Sequence, residues 1–294
     1  MIRALIVFLI GITISEPTIP MLSVEEATTL FHQLNFAMTS YNPGAAIAFR
    51  LAPRTRDTKI LVCFRSHCFQ ALRRWQLLAT NPQIPGRQLI AIVDEKMAWT
   101  FRKIHLDSDL WEKTHQKIAQ LRLPASIMQE IENRSDLIHL NNLEDQHLYS
   151  QFVERPWSSQ WSRPMGSLVT SEFGSMRVPP HGAPYAHTGV DFRAAVGSLV
   201  RATSDGIIAG TDNEVIYGNV ITIDHGYGLI TRYMHLSAFN VSVGDRVKAG
   251  DIIGLSGATG RVEAPHLHWE MRIRGQPVDP VSTQLLLARL SDLE

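Results

Sequence analysis

The residues whose types and spacing could do chemistry lie between His187 and Glu270, in two short pieces. One is His187-Thr188-Gly189-Val190-Asp191; the other is His266-Leu267-His268-Trp269-Glu270. Catalytic zinc takes three protein ligands from His, Cys or carboxylate and leaves a fourth position open for water. A His and an Asp four apart, joined through a glycine, can bend back onto one ion. His-x-His is a different device: on a strand, His266 and His268 share one face while Leu267 and Trp269 share the other. One pocket can then receive both imidazoles. A third histidine, His235, stands between the two pieces in Tyr233-Met234-His235-Leu236. Each piece alone is a weak signal, because most His-x-His pairs are surface or core histidines. The combination is specific.

The elements that must position these residues have period two from Ser167 onward. Strands are expected at Gly206–Gly210, Asn219–Asp224, Gly228–Met234, Asp251–Ser256 and His266–Ile273, separated by glycine-bearing turns. Alternation along Leu229–His235 puts Tyr233 and His235 on one face. The expected unit is antiparallel and mostly β, closed by a short helix over Ser282–Leu293 with Leu285, Leu286 and Leu290 inward. Ahead of it, residues 108–160 read as a helical connector, with helices from Trp111, from Ser126 and over Glu144–Val153, and Pro124 between the first two. A connector of that length packs on a neighbouring domain; a steric role across the catalytic groove is the alternative. Residues 22–107 read as a small β-rich domain, with a helix over Val24–Ala37 and strands at Ala46–Leu51, Lys59–Phe64, Gln88–Val93 and Trp99–Ile104. Phe69–Ala79 fits helix or strand. The fold class is mainly β with some α.

Length and composition bound the function. A chain of 294 residues has room for one or two cored domains. Its 28 basic and 28 acidic residues balance, without a run of like charge. Electrostatic binding of nucleic acid or of an anionic membrane surface is therefore not expected. Residues 1–15 carry Arg3, an apolar run from Ala4 to Ile14 and Ser15, the layout of a secretory signal peptide. The run falls short of the roughly 20 apolar residues that span a bilayer, so no stable membrane insertion is expected. A buried N-terminal element or an uncleaved anchor are the other readings. The only cysteines, Cys63 and Cys68, can form a bridge in an oxidising compartment if the chain turns at Arg65-Ser66-His67. Whether they do stays open.

The block from about Ser162 to Pro280 resembles the lysostaphin/LytM-type zinc metallopeptidases, enzymes that cut peptide bonds in peptidoglycan. Besides the two pieces above, the matching residues are Phe173-Gly174, Tyr217-Gly-Asn219, Ile223-Asp-His-Gly226, Tyr233–Ser237, Val243–Gly250, Ile253–Gly257 and Val278-Asp-Pro280, all in order. The resemblance implies a zinc metallopeptidase domain over 161–294, in which His187, Asp191 and His268 ligate one zinc ion and His235 and His266 are the catalytic non-ligand histidines. One of that pair takes the proton from water and the other stabilises negative charge; which does which stays open. Glu270, a candidate base, reads better as a carboxylate orienting a ligand imidazole. His225 reads as turn architecture, and His181, Tyr185 and Asn219 are candidate substrate contacts.

The same resemblance implies an exported, periplasmic D,D-endopeptidase acting on the D-alanyl to meso-diaminopimelate crosslink. The accessory domain weakly resembles that of Gram-negative members. The alternative is a non-catalytic relative that activates a cell-wall amidase; such proteins lack ligands, whereas all three are present here. A lipoyl-type carrier shares the rhythm of Val243–Gly250 but needs a lysine where Thr203 and Ser204 stand.

Overall fold

The computed structural model describes residues 39–41, 46–50, 61–64, 67–70, 75–79, 86–93, 99–106, 118–150, 158, 160–180 and 183–291. The leader, the expected helix over 24–37 and His181 lie outside these residues. In the first unit, strands β1 (Thr39–Tyr41), β3 (Leu61–Phe64), β4 (His67–Gln70), β6 (Gly86–Val93) and β7 (Trp99–Leu106) form a sheet in the order β1-β7-β6-β3-β4. Strands β2 (Ala46–Arg50) and β5 (Trp75–Ala79) pair with each other. The ambiguous stretch Phe69–Ala79 thus holds the end of β4 and all of β5, and β3 and β4 form a hairpin that sets Cys63 opposite Cys68.

The second unit begins with β8 (Ile118–Gln120), α1 (Ala125–Asn133) and α2 (Ser135–Ser150). The helix expected from Trp111 does not reach its end: residues 118–120 are extended, and β8 runs parallel to β10 (Met176–Val178), pairing Arg177 with Ala119. The backbone of β10 satisfies the hydrogen-bonding groups of these residues in the extended form. Pro124 starts α1 and its carbonyl accepts the amides of Ile127 and Met128, as a proline ahead of a helix can, since it needs no donor of its own. The third expected helix begins earlier, at Ser135. Helix α2 reaches the sheet through Asp145, whose carboxylate lies 2.8 Å from the guanidinium of Arg232.

The remaining strands are β9 (Val169–Ser171), β11 (Tyr185–Ala186), β12 (Val190–Arg193), β13 (Leu199–Arg201), β14 (Gly206–Glu214), β15 (Gly218–Gly226), β16 (Leu229–Phe239), β17 (Arg246–Val247), β18 (Ile252–Ser256), β19 (His266–Ile273) and β20 (Gln276–Val278). All but β11 build an antiparallel sheet in the order β17-β14-β15-β16-β19-β12-β9, with β18 branching from β16, β13 pairing β18 and β20 pairing β19; β11 instead pairs antiparallel with β10, in a three-stranded sheet with β8. Phe192, Val220, Ile221, Ile223, Tyr233, Leu267 and Trp269 are buried and form its core. Trp269 has no exposed surface, so truncating it to alanine would cost about 3–5 kcal/mol. The closing helix α3 spans Pro280–Ser291. Its inward residues differ from expectation: Thr283 and Leu287, one turn apart, are buried, while Leu285 is 54% exposed. Thr283 and Leu287 mark the stripe that packs inward, and Leu285 falls off it.

Candidate metal centre

Strand β19 is the spine of the site. It pairs antiparallel with β12, setting Asp191 directly opposite His268 and Arg193 opposite His266. Cross-strand partners share a face, so the Asp191 carboxylate and both imidazoles of the His-x-His point the same way. His187 enters from the loop before β12. Its backbone is tied to Gly174 and Ser175, with the His187 carbonyl accepting from Gly174 and its amide donating to Ser175. The loop must then cross β19 closely at Gly189. A Cβ there would lie 2.4 Å from the Trp269 carbonyl oxygen and 2.8 Å from His268 Nε2, so only glycine fits without displacing the strand.

Three donor atoms converge as a result. His187 Nε2 lies 2.9 Å from His268 Nδ1 and 3.1 Å from Asp191 Oδ1, and His268 Nδ1 lies 2.8 Å from the same oxygen. All three residues are buried, and among the described residues they form the group that could hold a metal ion. The surrounding bonds fix which atom faces inward. The Glu172 carbonyl, 3.0 Å from His187 Nδ1, can only accept, so Nδ1 carries the proton and Nε2 keeps its lone pair. Glu270 Oε1, 3.3 Å from His268 Nε2, does the same for the second imidazole and leaves Nδ1 as donor. Arg177 Nη2 binds Asp191 Oδ2 at 2.6 Å and Ser171 Oγ at 2.7 Å, which leaves Oδ1 turned to the imidazoles. Two imidazole nitrogens and one carboxylate oxygen suit zinc.

The electrostatics follow from burial and these contacts. Burial pushes the His187 imidazole down, and the Asp191 carboxylate only partly offsets it. For His268 burial acts downward too, but the carboxylates of Asp191 and Glu270 outweigh it and lift the group to about 9. Glu270 stays ionised with no exposed surface: burial opposes this, but Arg272, with Nε 2.8 Å from Oε2, and His268 outweigh it. The Thr188 hydroxyl donates to Glu270 Oε1 as well.

His235 reaches the same site by a route that alternation does not foresee. Tyr233 opposes Trp269 in the core, and its hydroxyl accepts from the Thr203 amide, on the face away from the donors. His235 is not on that face. The register between β15 and β16 shifts between Asn219 and Ile221, and His235 takes φ +62°. This bulge turns its ring to the other side, 4.8 Å centroid to centroid from His266 and 6.1 Å from His268. The His235 amide donates to Tyr217 O, and Nδ1 donates to Thr259 O at 2.8 Å, so Nε2 is the free nitrogen. Burial drives this imidazole well below its usual range, with His266 and His268 adding to the effect. His266 Nδ1 donates to Ala264 O, and Nε2 lies 3.7 Å from Asp191 Oδ1.

The other sequence candidates sort differently. His225 is buried, with its nitrogens on Asp205 O and Thr231 Oγ1, and belongs to the framework. Asn219 binds Leu236 O through Nδ2 and accepts from Asn213, so its side chain pins a turn. Arg177, Ser171, Thr188 and Thr259 are in the site and carry no sequence signal of their own: each acts through a partner distant in the chain.

An antiparallel β domain holding a buried His/Asp/His donor set beside two further imidazoles has the arrangement of a metallohydrolase. Residues 185–280 match peptidase family M23, and the chain therefore carries a domain of that family. Over 126 residues it is 43% identical to the DD-carboxypeptidase/endopeptidase Mpg of Neisseria meningitidis serogroup B, covering 43% of this chain and 29% of that protein. It is 38% identical over 142 residues to the peptidoglycan DD-endopeptidase ShyA of Vibrio cholerae, covering 48% of this chain and 32% of ShyA. The chain thus spans about a third or less of these curated relatives. A Pseudomonas aeruginosa protein assigned to peptidase M23 superposes with a TM-score of 0.59 over 84% of this chain and 95% of its own, at 22% identity. At that identity the likeness is one of fold.

Proposed function

We propose that this chain is a zinc endopeptidase that hydrolyses peptide crosslinks of peptidoglycan, at the bond from D-alanine to meso-diaminopimelate. The observation that carries the reading is the convergence of His187, Asp191 and His268 with two more imidazoles on one side. The likeness of its domain to proteins named DD-endopeptidases supports the substrate class. Zinc, when bound, polarises a scissile carbonyl and lowers the pKa of water to roughly neutral. His187 Nε2, Asp191 Oδ1 and His268 Nδ1 would hold it. His235 and His266 each present Nε2 with Nδ1 tied to a carbonyl, so each can accept one proton at a defined atom. One takes the proton of the attacking water and delivers it to the leaving amine; the other, having taken a proton from solvent at Nε2 beforehand, faces the negative charge that develops on the carbonyl oxygen and keeps that proton.

The layout of residues 1–15 supports export to the periplasm. No helix among the described residues is long and apolar enough to cross a membrane. The test uses purified protein with one equivalent of zinc on isolated sacculi. Crosslinked muropeptides should become monomers, and His268→Ala or a chelator should abolish this by at least a hundredfold. A folded, zinc-loaded protein that releases nothing yet stimulates an amidase would establish the non-catalytic reading instead.

A further inference from the structure

Beside the metal centre the structure holds a cation that the proposed chemistry does not use. Arg261 lies in the loop that leads from Gly257 into His266. Its Nη2 donates to the Tyr185 hydroxyl at 2.6 Å, and its guanidinium carbon stands 5.2 Å from the centre of that ring. The backbone under it is fixed: the Arg261 amide donates to Ile216 O at 2.8 Å. Gly260 precedes it with φ +75°, and a Cβ there would lie 2.4 Å from the Gly218 amide. Tyr185 is equally committed. It is two residues ahead of His187 and directly opposite Arg177, whose guanidinium is on Asp191. Cross-strand partners have Cβ atoms about 4.5–5.5 Å apart. A path of adjacent side chains therefore runs from Asp191 through Arg177 and Tyr185 to Arg261.

Among the described residues the chain supplies no counter-ion. Their arginine and lysine ion pairs involve Arg134, Arg177, Arg232, Lys248 and Arg272, and none involves Arg261. The acid nearest in sequence, Glu263, is engaged elsewhere, accepting from the Arg122 amide. A half-buried guanidinium that is stacked, hydrogen-bonded on one edge and unpaired has its other edge free for a bidentate anion.

We infer that Arg261, oriented by Tyr185, binds the free carboxylate of the substrate residue whose amino group is released, and so sets specificity for a crosslink that bears one. This rests on the endopeptidase reading above. In a D-alanyl to diaminopimelate crosslink, the carbon carrying the scissile amide nitrogen also carries a carboxylate. The anion is therefore held close to the reacting bond, and the loop that carries Arg261 also carries Thr259, whose carbonyl holds His235 Nδ1. Glycine bridges offer nothing equivalent, and an amidated crosslink replaces the anion by a neutral group of the same shape.

The test compares two crosslinked muropeptide dimers that differ only in carboxylate or carboxamide at that carbon. The zinc-loaded full chain should cleave the acid form with kcat/KM about ten- to a hundredfold higher, the scale of one charge-assisted hydrogen-bonded contact, mostly through KM. Arg261→Gln should lose that factor on the acid dimer and stay within about twofold on the amide. Arg261→Lys should recover only part, since it keeps the charge without the fork. Equal cleavage of both dimers by the wild type, or an equal fall on both in Arg261→Gln, would overturn the assignment. Binding is read separately with His266→Ala, alone and combined with Arg261→Gln. Tighter binding of the acid dimer, lost in the double variant, sustains the Arg261 site even if the wild type hydrolyses neither, in which case only the endopeptidase reading fails. No preference in binding sinks the site.

Discussion

Glu270→Gln is a nearly isosteric change at the centre of the site, and its consequences can be worked from the contacts. One carboxylate oxygen accepts from Thr188 and from His268 Nε2; the other accepts from Arg272 Nε. A carboxamide offers one acceptor and one donor, so whichever way it turns, an N–H group faces another donor in a site without solvent. A buried group left unsatisfied costs about 1–3 kcal/mol, which should lower the unfolding midpoint of the metal-free protein. The loss of the anion acts on the metal separately. His268 keeps its ring orientation less well and becomes a weaker donor, and loss of such an outer partner typically costs 10–100-fold in metal affinity, about 1.4–2.8 kcal/mol. Both effects weaken zinc binding. The assay is competition with a chromophoric chelator, with thermal unfolding of metal-free and loaded protein run beside it. Zinc affinity within twofold of wild type with turnover abolished would refute this reasoning and make Glu270 the general base.

Gly189→Ala places a methyl against the Trp269 carbonyl and His268 and should cost about 1–3 kcal/mol while leaving less than one zinc per chain by metal analysis; Gly166→Ala, with nothing within 4 Å, should be neutral. Glu214 is raised from its ordinary 4.5 to about 7 by burial, which Arg232 opposes and Asp145 reinforces. The folded state then binds more protons than the unfolded one in that window, so stability falls as pH rises from 4.5 toward 7. Glu214→Gln should flatten that slope in urea unfolding midpoints, and an unchanged slope would refute the assignment. Cys63 and Cys68 are opposite each other in the hairpin of β3 and β4, and facing Cα atoms of an antiparallel pair lie within disulfide reach. Protein prepared under oxidising conditions should therefore resist thiol alkylation until reduced, and labelling of both cysteines without reductant would rule the bridge out.

The strands of the metal-bearing unit were legible as short apolar or alternating runs between glycine-bearing turns, and β19 starts and ends where the pattern of residues 266–273 says it should, although it is buried along most of its length. Alternation failed where the backbone leaves the regular pleat. His235 changes face through a bulge set in the pairing of β15 with the next strand, β16, where a residue type alone does not reveal the change of register. Residues 118–120 read as helix by local pattern and became strand because β10 offered them an edge. Leu285 was placed inward by composition and faces solvent because the docking face of α3 is chosen by the sheet beneath it.

By itself the sequence determined which residue types can bind zinc and move protons, because few side chains have the lone pairs and acidity for that chemistry and their spacing is written in the chain. Asp191 and the His-x-His were visible for that reason. Only the tertiary structure decided what holds them: Arg177 on the outer oxygen of Asp191, Glu172 and Thr259 lending carbonyls, and Arg261 laid against Tyr185 with no counter-ion among the described residues. Those roles depend on distance in space between segments remote in sequence, and no local pattern encodes such a distance.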